Sequence, residues 1–79
     1  MSFQVTASAG SRSAGEAAIL DAAVRLFSRH GYDGVSMRSV AREAGVSKSN
    51  IYHHFESKEA LYNASVFEAL RRSRARRLV

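Results

Sequence analysis

The chain contains no cysteine and no proline among its 79 residues. Without cysteine there are no disulfides and no thiolate metal sites, which fits a reducing, cytoplasmic setting. The lack of proline, beside many Ala, Leu, Glu and Arg residues, favours an all-α domain, because proline is the strongest breaker of helix interiors. No apolar run approaches the roughly 20 residues that span a bilayer, so no membrane partner is expected. The opening MSFQVTASAGSRSAG has no cationic start leading into an apolar stretch and does not read as a secretory signal. Ser, His and Asp are present, but no segment forms a nucleophile elbow, a phosphate loop or a metal-ligand set. With a core this small there is little room for a substrate pocket. The expectation is therefore no enzyme, no cofactor and no metal. The length suits one small domain with a marginal core, dependent on good helix packing, a partner or further sequence.

The net charge of +5 suggests a polyanionic partner, but its distribution does not say where that partner binds. Across residues 16–56, Arg25, Arg29, Arg38, Arg42 and Lys48 are cancelled by Glu16, Asp21, Asp33, Glu43 and Glu56. Most of the excess lies in residues 57–79, where Lys58, Arg71, Arg72, Arg74, Arg76 and Arg77 outnumber Glu59 and Glu68. The binding surface has to be found from the residue pattern.

Caps and periodicity predict four helices. Residues 1–12 are small and polar and read as a flexible arm. Ser13 followed by Glu16 fits a capping box. The first helix runs from there to about His30, with Ile19, Ala23, Leu26, Phe27 and His30 on one face and Gly31 as its stop. Tyr32 and Val35 belong to a turn and can fold back onto the core. A second helix starts at Ser36 and ends before Gly45, with Met37, Val40, Ala41 and Ala44 inward. A third starts at Ser47 and runs to about His54. Ser57 caps a fourth, in which Leu61, Ala64, Phe67 and Leu70 are the inward candidates. Beyond Leu70 the arginines leave no buried face, so the helix either frays or continues into something outside the chain. The domain proper is expected at 13–56, with 57–79 as a linking helix.

The segment Ser36–Phe55 has the spacing of a helix-turn-helix. Ala41, four residues before Gly45, lets two helices approach, and Gly45 can take the left-handed backbone of the turn. Ile51, six residues after it, plugs the corner. In such a unit the second helix enters the DNA major groove. At roughly 100° per residue, Ile51 and Phe55 share one side of the third helix, with Ser49 and His53 opposite. Asn50 and His54 flank that outward side, and Tyr52 lies between core and solvent.

Each outward residue has a role and a plainer alternative. Lys48 is a guanine reader, a phosphate contact or a solvated lysine. Asn50 suits adenine and Ser49 suits a base or a phosphate, and both are also ordinary first-turn residues. His53 is a base or phosphate candidate; it and His54 point about 100° apart and cannot share a metal ion. Lys58 opens the fourth helix, where the dipole disfavours a cation unless a phosphate is present. Ser36 caps the second helix and offers a backbone N–H to phosphate. Arg38 reaches a guanine or the strand, or is simply solvated. Arg25 and Arg42 read as surface residues pairing with acids, and His30 as a cap or packing residue. Arg12, in the arm, is a minor-groove candidate.

Residues 16–62 resemble the amino-terminal DNA-binding domain of the tetracycline-repressor (TetR) family. The resemblance rests on ILDAAVRLFSRHGYDG, VSMRSVAREAGVSKSNIYHHF and ESKEAL. Its most specific part is Tyr52-x-x-Phe55 followed by Ser57-Lys58-Glu59. The resemblance implies that Ser49 and Asn50 read bases, and that the Tyr52 hydroxyl and His54 contact phosphates. It also implies a homodimer on a palindromic operator of double-stranded DNA, acting usually as a repressor. A carboxy-terminal domain, outside this chain, would dimerise and bind a small-molecule effector. A different class of reading is a protein-interaction module or anionic-surface binder that uses the arginine-rich end of the fourth helix.

Overall fold

A computed structural model describes residues 13–77. They form four helices: α1 (Ala14–His30), α2 (Met37–Ala44), α3 (Lys48–His54) and α4 (Lys58–Arg77). The expected arm, with Arg12, lies outside the described residues.

Every helix begins at a serine. The hydroxyls of Ser13, Ser36, Ser47 and Ser57 accept from the N–H groups of Glu16, Ser39, Asn50 and Ala60 at 3.0–3.1 Å. Each cap satisfies one donor that helix geometry leaves open, and is worth about 1 kcal/mol. At Ser36 the cap is reciprocal, because the Ser36 N–H donates to Ser39 Oγ at 3.0 Å. α1 and α2 stop at glycines, and α3 stops at Phe55. Gly31 (φ 78°) donates to the Phe27 carbonyl at 2.9 Å. Gly45 (φ 74°, ψ 31°) takes the left-handed conformation. Its N–H reaches the Arg42 carbonyl, and the Val46 N–H reaches that of Ala41 at 3.0 Å. That pair of bonds is a Schellman motif, and it fixes the angle at which the chain leaves α2 for α3.

α1 is the central element. It packs against α4 and α2, and α3 packs chiefly on α2. The core takes Ile19, Leu20, Ala22, Ala23 and Phe27 from α1, Val35 from the turn, and Met37, Val40 and Ala41 from α2. Ile51, Phe55 and Leu61 complete it. Because α1 is covered by different helices on different sides, its buried stripe is wider than one row: Leu20 and Ala22 join it. Leu26 is only half-buried, and His30, in the last turn beyond the core, is exposed.

α4 departs from the expected pattern. Leu61 is buried and Ala64 half-buried, but Phe67 and Leu70 are 73% and 63% exposed. The inward row is instead Leu61, Ser65 and Glu68. These polar residues tolerate burial because each has a partner. Ser65 Oγ donates to the Tyr62 carbonyl at 2.8 Å, and Glu68 accepts from Arg71 and Arg72. The same pairs, at three- and four-residue spacing, support the helix where its apolar pattern ends, and α4 stays helical to Arg77.

Candidate nucleic-acid interface

α3 is short, so its orientation depends on its anchors. Ile51 is fully buried and Phe55 is 8% exposed. Together they fasten the side facing α1 and α2. The opposite side is open: Lys48, Ser49, Asn50, Tyr52 and His53 are all exposed. His54 is half-buried, its Nε2 close to the backbone of Gly15 at the start of α1. Its ring meets that of His53 edge-on at 5.1 Å. His53 is thus the more outward of the two. Ser49 Oγ lies 3.4 Å from Ser47 Oγ, turned back toward the cap, while Asn50 uses only its backbone N–H there.

Beside α3, Ser36, Arg38, Lys48, Tyr52 and Lys58 line one open depression together with Asp33, Val35 and Met37. Three cations, from the starts of α2, α3 and α4, therefore border a single surface. None of the three forms an ion pair among the described residues. Three unneutralised cations beside exposed hydrogen-bonding side chains form a surface suited to a polyanion carrying readable polar edges. Ser49, Asn50, His53 and His54 lie outside this depression, along the rest of the α3 face.

Ser36 does not offer the donor expected of it. Both its hydroxyl and its N–H are engaged with Ser39, so the open N–H groups of that turn are those of Met37 and Arg38. Arg25 pairs with Asp21 and Glu43 as expected, and its pKa is raised chiefly by the hydrogen bond to Glu43. Arg42 forms no ion pair among the described residues. It sits in the last turn of α2, where the helix dipole favours a cation.

The family model for the bacterial regulatory proteins of the tetR family matches residues 19–65, which include α2, the turn and α3. The chain belongs to the TetR family. Among its TetR-type relatives is the biofilm operon icaADBC negative transcriptional regulator IcaR of Staphylococcus aureus (strain Newman), 42% identical over 48 residues. The IcaR of Staphylococcus epidermidis (strain ATCC 35984) is 38% identical over the same length. The matched segment is 61% of this chain but 26% of either relative, so the likeness spans about a quarter of each regulator. The family is one of DNA-binding transcriptional regulators rather than enzymes. No helix among the described residues is long and apolar enough to cross a membrane.

Two features of this TetR-type surface are not visible in the helix pattern. Asp33 places a carboxylate on the rim of the cationic depression. Tyr32, expected only to fold onto the core, also carries the Lys58 ammonium, whose Nζ lies 4.2 Å from the ring centroid. Both residues belong to the turn after α1, whose path depends on the backbone at Gly31 and Gly34. Periodicity carries no information about such a path.

Proposed function

We propose that this chain is the DNA-reading part of a transcriptional repressor that acts by occupying an operator. α3 reads base edges through Lys48, Asn50 and Ser49, with His53 at the far end of the same face. Lys58, Arg38 and Tyr52 hold phosphates along the depression beside α3, and His54 and the first turn of α2, from its Ser36 cap, supply further backbone contacts. The observation that carries this reading is the α3 surface itself: anchored by Ile51 and Phe55, exposed on the other side, and bordered by three cations that form no ion pair among the described residues.

The two-fold logic of helix-turn-helix readers gives a homodimer on a palindromic site. Residues 57–79 then connect the reading head to a dimerisation and effector domain, and the regulator works in the cytoplasm. A single copy binds weakly, because it lacks the second half-site and its avidity. The test is selection of bound duplexes from a random pool, with the dimeric parent where it exists. Recovery of a palindromic motif supports the reading, and recovery of unrelated sequences counts against it.

A second reading draws on the far end of α4. There Phe67 and Leu70 are exposed beside Arg71 and Arg74 around a shallow groove, a composition that suits an acidic partner. Salt-sensitive DNA binding with no sequence preference favours that reading over the first.

A further inference from the structure

We propose that Tyr32 is a positioning residue for phosphate binding: its ring face holds the Lys58 ammonium at the edge of the cationic depression before DNA arrives. The inference rests on the DNA-reading function proposed above. Lys58 Nζ stands 4.2 Å from the Tyr32 ring centroid, well within the range in which a ring quadrupole attracts a cation. The ring is itself fixed. It meets Tyr62 edge-on at 5.0 Å and stacks with Phe27 at 6.2 Å, and Phe27 and Tyr62 meet edge-on at 5.0 Å. This three-ring cluster joins α1, the turn and α4: Tyr32 is 38% exposed, but it rests on Phe27 of the core and on Tyr62 packed against that core, which hold the platform under Lys58.

The choice of partner matters electrostatically. A carboxylate in the place of Tyr32 would hold the ammonium but cancel its charge. An aromatic face holds it and leaves the whole charge for a phosphate. The long lysine stem would otherwise lose its rotamer freedom on binding. Held over the ring, it has lost much of that freedom already. Lys58 also lines the same depression as Arg38, Lys48 and Tyr52, so the held cation lies beside the other groups that face the strand.

The test uses the full chain and a short random-sequence duplex, since a phosphate contact needs no particular sequence. Tyr32→Leu should weaken binding about two- to five-fold, Tyr32→Phe should keep wild-type affinity, and Lys58→Ala should lower the salt slope by about one unit. Adding Tyr32→Leu to Lys58→Ala should cost nothing further. A direct signature needs no DNA: the Lys58 ε-methylene protons should be shifted upfield by the ring in the wild type and in Tyr32→Phe. Absence of that shift overturns the inference even if Tyr32→Leu fails to fold. Equal losses from Tyr32→Leu in both backgrounds also overturn it, while leaving the DNA face intact. A Lys58→Ala chain with unchanged affinity and salt slope removes Lys58 from the phosphate contacts and overturns the inference, while the reading by α3 stands on its own.

Discussion

Arg72 of α4 donates through Nε to Glu68 at 3.0 Å and holds Asp21 of α1 through Nη1 at 3.2 Å. From Asp21 the chain of charges passes to Arg25, and from Arg25 to Glu43 on α2 at 3.0 Å. One run of ion pairs thus ties α4 to α1 and α1 to the helix-turn-helix. Its outer members are exposed and individually weak. Glu68 is the exception, because its side chain is only 9% exposed.

Glu68 should make stability depend on pH. The Arg71 hydrogen bonds hold its carboxyl below the ordinary glutamate value; burial opposes this, and the Arg72 hydrogen bond assists. A carboxylate with a depressed folded pKa contributes stability above its unfolded value, about 4.3, and loses that contribution as the pH falls through the folded value. Glu68→Gln should therefore melt below the wild type at pH 7, and the gap should close in acid below about pH 4. Thermal melts across that range check this. A gap that stays constant would mean that the charge on Glu68 is irrelevant to stability.

Two glycines should respond differently to alanine. At Gly34 a new Cβ would sit 2.5 Å from the His30 carbonyl oxygen, a backbone atom that cannot swing aside. The turn carrying Tyr32 and Val35 would have to move, at about 1–3 kcal/mol. At Gly45 nothing lies within 4 Å of the new Cβ, but φ is 74°. There the cost is conformational, about 1 kcal/mol, and asparagine should recover part of it. Denaturant unfolding of Gly34→Ala, Gly45→Ala and Gly45→Asn separates steric clash from strain. Asparagine rescue at Gly45 and none at Gly34 is the expected pattern.

The base readers should affect sequence preference rather than affinity at large. Lys48→Ala or Asn50→Ala should relax preference at one or two base pairs, by about 1–3 kcal/mol where the contact is bidentate. Binding selections on each variant measure this directly. An unchanged motif after both substitutions would reassign α3 to phosphate contact alone.

Arg74, exposed at the far end of α4, should behave in the opposite way. Arg74→Gln should leave the preferred motif untouched and weaken all duplexes equally, if it weakens them at all. A changed motif would place the end of α4 against the bases, which the separation of roles described here forbids.

Much of the fold was legible because short helices declare their ends. Ser13, Ser36, Ser47 and Ser57 are caps in both sequence and structure, and Gly31 and Gly45 are stops. The helix-turn-helix followed from the spacing of Ala41, Gly45 and Ile51, a pattern only moderately specific by itself and strengthened by the string from Tyr52-x-x-Phe55 to Ser57-Lys58-Glu59. Periodicity misled where a helix serves more than one neighbour. Phe67 and Leu70 fit an apolar repeat from Leu61, yet the row facing α1 is Leu61, Ser65 and Glu68, since buried polar groups with local partners are invisible to a hydrophobic pattern. On the candidate site, the wheel placed Ile51, Phe55 and His53 as the structure does. It could not show that Ser36 spends its donor on Ser39, or that Lys58 rests on Tyr32, because both depend on side-chain conformation and on the path of a turn.

The central claim is that duplex DNA meets the outward face of α3. Amide shift mapping of the full chain during titration with duplex DNA tests it most directly. The largest changes should fall on Lys48 to His54 and on the first turns of α2 and α4. Changes confined to Arg71 to Arg74, with α3 silent, would contradict the account.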